Sequence, residues 1–97
     1  MKKIKLDVWD LKMLVRGLLN SKENCCAENE EEIDLLIISL ADKYEHLKPG
    51  RKKRFRFQPK ERHLICRSLV DWRNQQIEAG DDVAVEIISE YLLMFAA

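Results

Sequence analysis

Lys48-Pro49-Gly50-Arg51-Lys52-Lys53-Arg54-Phe55-Arg56-Phe57-Gln58-Pro59 separates two amphipathic halves of a 97-residue chain. Pro49-Gly50 stops whatever helix precedes it, because proline cannot extend the hydrogen-bond ladder and glycine accepts the turn. Gln58-Pro59-Lys60-Glu61 starts another, since proline at the first helical position gives up an amide that has no partner there. Between the stop and the start lies a run of cations with Phe55 and Phe57 interleaved. The stretch reads as a basic connector.

Its charge is not typical of the rest. From Lys48 to Arg62 there are eight Lys/Arg and one acid, Glu61, whereas the remaining residues hold nine basic and sixteen acidic side chains. Six of those acids fall between Glu23 and Asp34: Glu23, Glu28, Glu30, Glu31, Glu32 and Asp34. A formal net charge of zero therefore hides a strong separation of charge along the chain.

Upstream, Leu6-Asp7-Val8-Trp9-Asp10-Leu11 announces a helix. Asp7 can cap the first turn, Asp10 can reach back as in a capping box, and Leu6 and Leu11 occupy the two staple positions. Leu11, Leu14, Val15 and Leu18 then form one apolar stripe, and the helix is expected to fade after Asn20-Ser21, with its end anywhere up to Cys26. Asn29-Glu30-Glu31-Glu32 is a second cap, with acids suited to the positive end of a helix dipole. The stripe Ile33, Leu36, Ile37, Leu40, Tyr44, Leu47 follows. Downstream, Leu64, Ile65, Leu69, Trp72 and Ile77 map one face of the third helix. Ala79-Gly80-Asp81-Asp82 is a stop and a new cap, and Ala84, Ile87, Ile88, Tyr91, Leu92 and Phe95 carry the fourth.

The halves correspond. At an offset near 51, Leu6-Asp7-Val8 faces Phe57-Gln58-Pro59, Asp10 faces Glu61, and Gly17-Leu18-Leu19 faces Ser68-Leu69-Val70. At an offset of 50, Ile37-Ile38-Ser39 faces Ile87-Ile88-Ser89. The expected fold is all-α, a four-helix bundle built from two similar helical hairpins joined by the basic connector. It forms a single helical domain over residues 1–97, with hairpin one at 6–48, the connector at 49–58 and hairpin two at 59–97. The three glycines and two prolines support few long helices over many strands, each of whose reversals needs turn residues.

Several function classes find no support. No apolar run reaches the ~18 residues of a membrane span, and the basic start Met1-Lys2-Lys3-Ile4-Lys5 lacks the apolar core of a signal peptide. Three cysteines, two of them adjacent, read as free thiols of a cytoplasmic protein. Cys25, Cys26, His63 and Cys66 are the one soft-metal set, but an adjacent pair suits a tetrahedral site poorly and Cys66 aligns with apolar Val15, so no metal site is expected. No phosphate loop, nucleophile elbow or zinc-protease motif is present. Neither enzymatic activity nor a cofactor nor a small-molecule substrate is expected.

What remains is binding. The leading expectation is a small interaction module that binds a protein partner or pairs with itself as a homodimer. Trp9 is its candidate contact, because its counterpart in the other half is Lys60, an exposed type of residue. The alternative is an accessory nucleic-acid-binding protein. In that reading Arg51, Lys52, Lys53, Arg54, Arg56, Lys60 and Arg62 contact the phosphate backbone while an interleaved aromatic stacks on a base. Contacts of that kind carry little sequence preference.

Overall fold

The computed structural model describes residues 3–24 and 30–96. The elements run β1 (Lys3–Leu6), α1 (Val8–Asn24), α2 (Glu30–Glu45), β2 (Lys53–Arg56), α3 (Pro59–Ala79) and α4 (Asp82–Ala96). Helix predominates, but two strands correct the all-α expectation. β2 is the centre of the basic stretch, and it pairs antiparallel with β1, with Ile4 opposite Phe55. The connector is thus a structural element, tied to the first described residues of the chain.

Local chemistry accounts for the starts of α1, α3 and α4. The Asp7 amide donates to Asp10 Oδ2 (3.0 Å) and the Asp10 amide donates to Asp7 Oδ1 (2.8 Å), so two amides at the start of α1 are satisfied reciprocally. Leu6 and Leu11 beside them are both fully buried, as the staple requires. At α3 the Gln58 amide donates to Glu61 Oε1 at 2.9 Å. Pro59 occupies the first turn. The Asp81 side chain accepts from the Ala84 amide at the start of α4 (3.1 Å). α1 continues to Asn24, within the span from Asn20 to Cys26 expected for its end. The Asn29 cap of α2 lies outside the described residues.

Between α2 and β2 the chain reverses in a turn in which the Arg51 amide donates to the Lys48 carbonyl (3.2 Å). Gly50 there has φ +79°, the left-handed value that a type II turn demands after proline. This turn aims β2 back along β1.

α1 packs against α2 and α3 against α4, while α1 and α3 meet each other. Gly17 sits at that meeting: a Cβ built on it would lie 3.2 Å from Trp72 Cε3 and 3.6 Å from Leu69 Cδ2. Absence of a side chain at Gly17 lets Trp72 close on α1. Ser68, which the sequence aligns with Gly17, is likewise small and buried.

One core joins both strands and all four helices. Its fully buried side chains include Leu6, Leu11, Leu14, Leu18, Leu40, Phe57, Ile65, Leu69, Ile88 and Phe95. Phe57 meets Phe95 edge-on with ring centroids 5.3 Å apart, an arrangement worth more than its buried area alone. The apolar stripes are largely those the periodicity marks, with one exception: Ile77 is 52% exposed. The Ile-Ile-Ser correspondence also fails as packing, since Ile38 is 65% exposed and Ile88 is buried. Leu40 and Tyr91, 51 apart, are both buried instead.

The halves interlock beyond the strand pair. Tyr91 Oη donates to Asp10 Oδ1 at 2.6 Å, joining α4 to α1. Lys60 forms an ion pair with Glu32, joining α3 to α2. Lys22 of α1 holds Asp34 of α2 at 2.7 Å, with Glu30 farther off at 3.9 Å. No helix among the described residues is long and apolar enough to cross a membrane.

Candidate functional site

In a strand, successive side chains point to opposite faces. β1 reads Lys3-Ile4-Lys5-Leu6 with Ile4 and Leu6 buried and both lysines exposed. β2 and the residue after it read Arg54-Phe55-Arg56-Phe57, with both phenylalanines buried and both arginines exposed. The inner face of the ribbon is therefore a sheet of Ile4, Leu6, Phe55 and Phe57 set into the core. The outer face is Lys3, Lys5, Arg54 and Arg56.

The register brings these four cations together. Lys3 stands opposite Arg56, and Lys5 stands opposite Arg54. Cβ atoms of directly opposed residues lie about 4.5–5.5 Å apart, and like charges so placed destabilise a strand pair. Among the described residues no carboxylate forms an ion pair with any of the four. Arg51 and Lys52, in the segment leading into β2, are exposed as well. Lys53 is exposed on the other parity of the strand, its Nζ 6.0 Å from the Phe55 ring centroid. The result is a cationic face on a paired ribbon backed by the core.

The seven basic residues singled out in the sequence thus divide. Arg54 and Arg56 lie on the ribbon face, Arg51 and Lys52 lie beside it, and Lys53 lies over Phe55. Lys60 is engaged by Glu32. Arg62 turns towards the end of α4, where its Nη2 donates to the Phe95 carbonyl (2.7 Å), a favourable place for a cation at a helix C-terminus. Base stacking by Phe55 is overturned, because Phe55 lies in the core, and Phe57, at the staple position that matches Leu6, lies there as well. Lys3 and Lys5 were not singled out. Lys-Ile-Lys-Leu and Arg-Phe-Arg-Phe share a charged/apolar alternation 51 residues apart, but four residues are too few for either to establish a strand period alone.

The acidic cluster is partly neutralised from within, through Lys22 on Asp34 and Glu30 and Lys60 on Glu32. Glu28 lies outside the described residues, as do Cys25 and Cys26 of the soft-metal set. Its other two members, His63 and Cys66, line a shallow surface depression with Pro59, Arg62 and Phe95. Burial pushes the Cys66 thiol up, against a smaller opposing effect of the Arg62 charge. The thiol therefore stays protonated in the range where a reactive cysteine is a thiolate.

Trp9 is 55% exposed, as expected. It borders a groove of about 280 Å³ that Met13, Trp72 and Ile87 also line, with Arg16 and Asp81 at its polar edge. Its ring lies 6.5 Å from that of Tyr91. On the corresponding side of the other half, Lys60 and Leu64 face Leu35 and Leu36 across a groove of similar size. Where one groove carries two tryptophans, the other carries the Lys60–Glu32 pair. Compared with family models, curated proteins and solved structures, this chain matches none of them.

Proposed function

We propose that this chain is a non-enzymatic nucleic-acid-binding protein that holds the phosphate backbone against the outer face of its β-ribbon. The register carries the reading: Lys3 with Arg56 and Lys5 with Arg54 are opposed like charges that cost stability in the free protein. A polyanion turns that cost into attraction, since each phosphate neutralised also releases counterions. Among the described residues the outer face of the ribbon presents Lys3, Lys5, Arg54 and Arg56, and a face of cations suits the backbone and not the bases.

The arrangement also favours a duplicated β-α-α unit as the origin of the fold. Each unit contributes one strand with outward cations, one helix whose first turn carries an acid that accepts the amide of the cap residue, and one outer helix. Duplication then builds a binding face that neither unit has alone.

The test is a titration of labelled oligonucleotides at about 50 mM and about 200 mM salt, with a Lys3→Gln/Lys5→Gln/Arg54→Gln/Arg56→Gln variant alongside. Binding that weakens steeply with salt and is lost in the variant is the expected result. Unchanged binding by the variant would sink the reading.

A second reading, contact with a protein partner or a second copy, draws on half-exposed Trp9 at the mouth of its groove. A sedimentation mass above 11.5 kDa that falls to it on Trp9→Ala substitution is what this reading requires.

A further inference from the structure

We infer that the nucleic acid is a B-form DNA duplex, and that the ribbon meets it with its own two-fold axis on the local dyad of the duplex. This rests on the nucleic-acid reading above and specifies its ligand. An antiparallel pair of strands has a local two-fold axis perpendicular to the ribbon. Here that axis passes through the Ile4–Phe55 pair, and it exchanges Lys3 with Arg54 and Lys5 with Arg56. The four outward cations are therefore two equivalent pairs, one on each strand.

Duplex DNA offers the matching array. Its backbones run antiparallel and are related by dyads, and its major groove is about 12 Å wide, enough to admit a two-stranded ribbon. Strands lie about 4.8 Å apart and residues two apart along a strand lie about 6.6 Å apart. With long Lys and Arg side chains, Lys3 and Lys5 reach one phosphate wall of the groove, and Arg54 and Arg56 reach the other. A-form RNA is excluded by the same geometry, because its major groove is deep and narrow. Single strands are disfavoured for a separate reason. Proteins that grip them gain about 1–3 kcal/mol per base from aromatic stacking, and this face has no aromatic, since Phe55 and Phe57 point inwards.

The experiment compares one mixed-sequence DNA duplex of about 20 base pairs, two helical turns, with its separated strands, an RNA duplex of the same sequence, and heparin. Two variants accompany the parent protein, Lys3→Gln/Lys5→Gln and Arg54→Gln/Arg56→Gln. The DNA duplex is expected to bind at least tenfold more tightly than either single strand or the RNA. With four phosphates neutralised, its affinity falls about 150-fold between 50 and 200 mM salt, and in each double variant that fall shrinks to about tenfold. Thermal melts at or above that of the parent establish that both variants fold.

Single strands or RNA bound as tightly as the DNA duplex would overturn the duplex assignment and leave the nucleic-acid reading standing. Loss of affinity in only one of the double variants would overturn the dyad-centred docking. Retention on heparin without binding to any nucleic acid would overturn both.

Discussion

Asp10 shows how one side chain serves two levels of structure. One carboxylate oxygen accepts the Asp7 amide and completes the cap of α1, while the other accepts the Tyr91 hydroxyl from α4. The first contact was legible in the sequence, because cap and acid stand three residues apart. The second joins residues 81 apart, and no local pattern announces it. Burial, and then the hydrogen bond to Asp10, raise the Tyr91 phenol well above its ordinary value. A raised folded-state value means that the folded protein holds a proton the unfolded chain releases. Tyr91's contribution is thus complete below the unfolded value of about 10 and is lost as the pH rises above it. Tyr91→Phe is expected to lower stability by about 1.5–3 kcal/mol at neutral pH, the worth of a hydrogen bond to a charged group. It should also flatten the decline at alkaline pH. Urea unfolding at neutral and at alkaline pH checks both, and an equal alkaline slope in parent and variant would sink the assignment.

The helices and the ribbon differ in how far the sequence reveals them. A helix advertises itself through contacts three and four residues apart, and the stripes of α1 to α4 were readable for that reason. β1 is four residues long, too short to establish a period, and its partner lies some fifty residues away. The missing strand also concealed the candidate site. As a flexible connector the basic run has seven cations of equal standing; as a strand it has a face, with Arg54 and Arg56 outward and Phe55 inward. The face invites a substitution that separates stability from binding. Arg54→Glu converts the opposed pair with Lys5 from like to opposite charge, which should stabilise the protein by about 0.2–1 kcal/mol. The same change removes one cation from the proposed binding surface and adds an anion, so DNA affinity should fall. A calorimetric melt and an oligonucleotide titration on one preparation read both. A variant less stable than the parent would show that Arg54 has a structural role that the register does not give it.

At the level of the entire chain, the two halves resemble one another yet do not stand apart. Among the described residues, the strand of each pairs with the strand of the other. α1 reaches α4 through Asp10 and Tyr91, and α3 reaches α2 through Lys60 and Glu32. The buried faces of Ile4, Leu6, Phe55 and Phe57 make one floor, half from each side. An isolated two-stranded ribbon is marginal in water at best, and a lone strand has nothing to pair with. A chain of about 50 residues also buries too small a share of its surface to offset the entropy of ordering. Residues 1–50 and 51–97, made as separate peptides, should therefore each lack a cooperative thermal transition as monomers. Mixed in equal amounts they should associate one to one and regain both the helical circular dichroism and the transition of the intact chain. A cooperative, monomeric transition from either half alone would show that the hairpin, and not the interlocked pair, is the unit of stability. The proposed binding should follow the same division, since each half carries two of the four ribbon cations. DNA affinity should therefore return with reassociation, and the separate peptides should fall short of it by the same margin as the double glutamine variants or more.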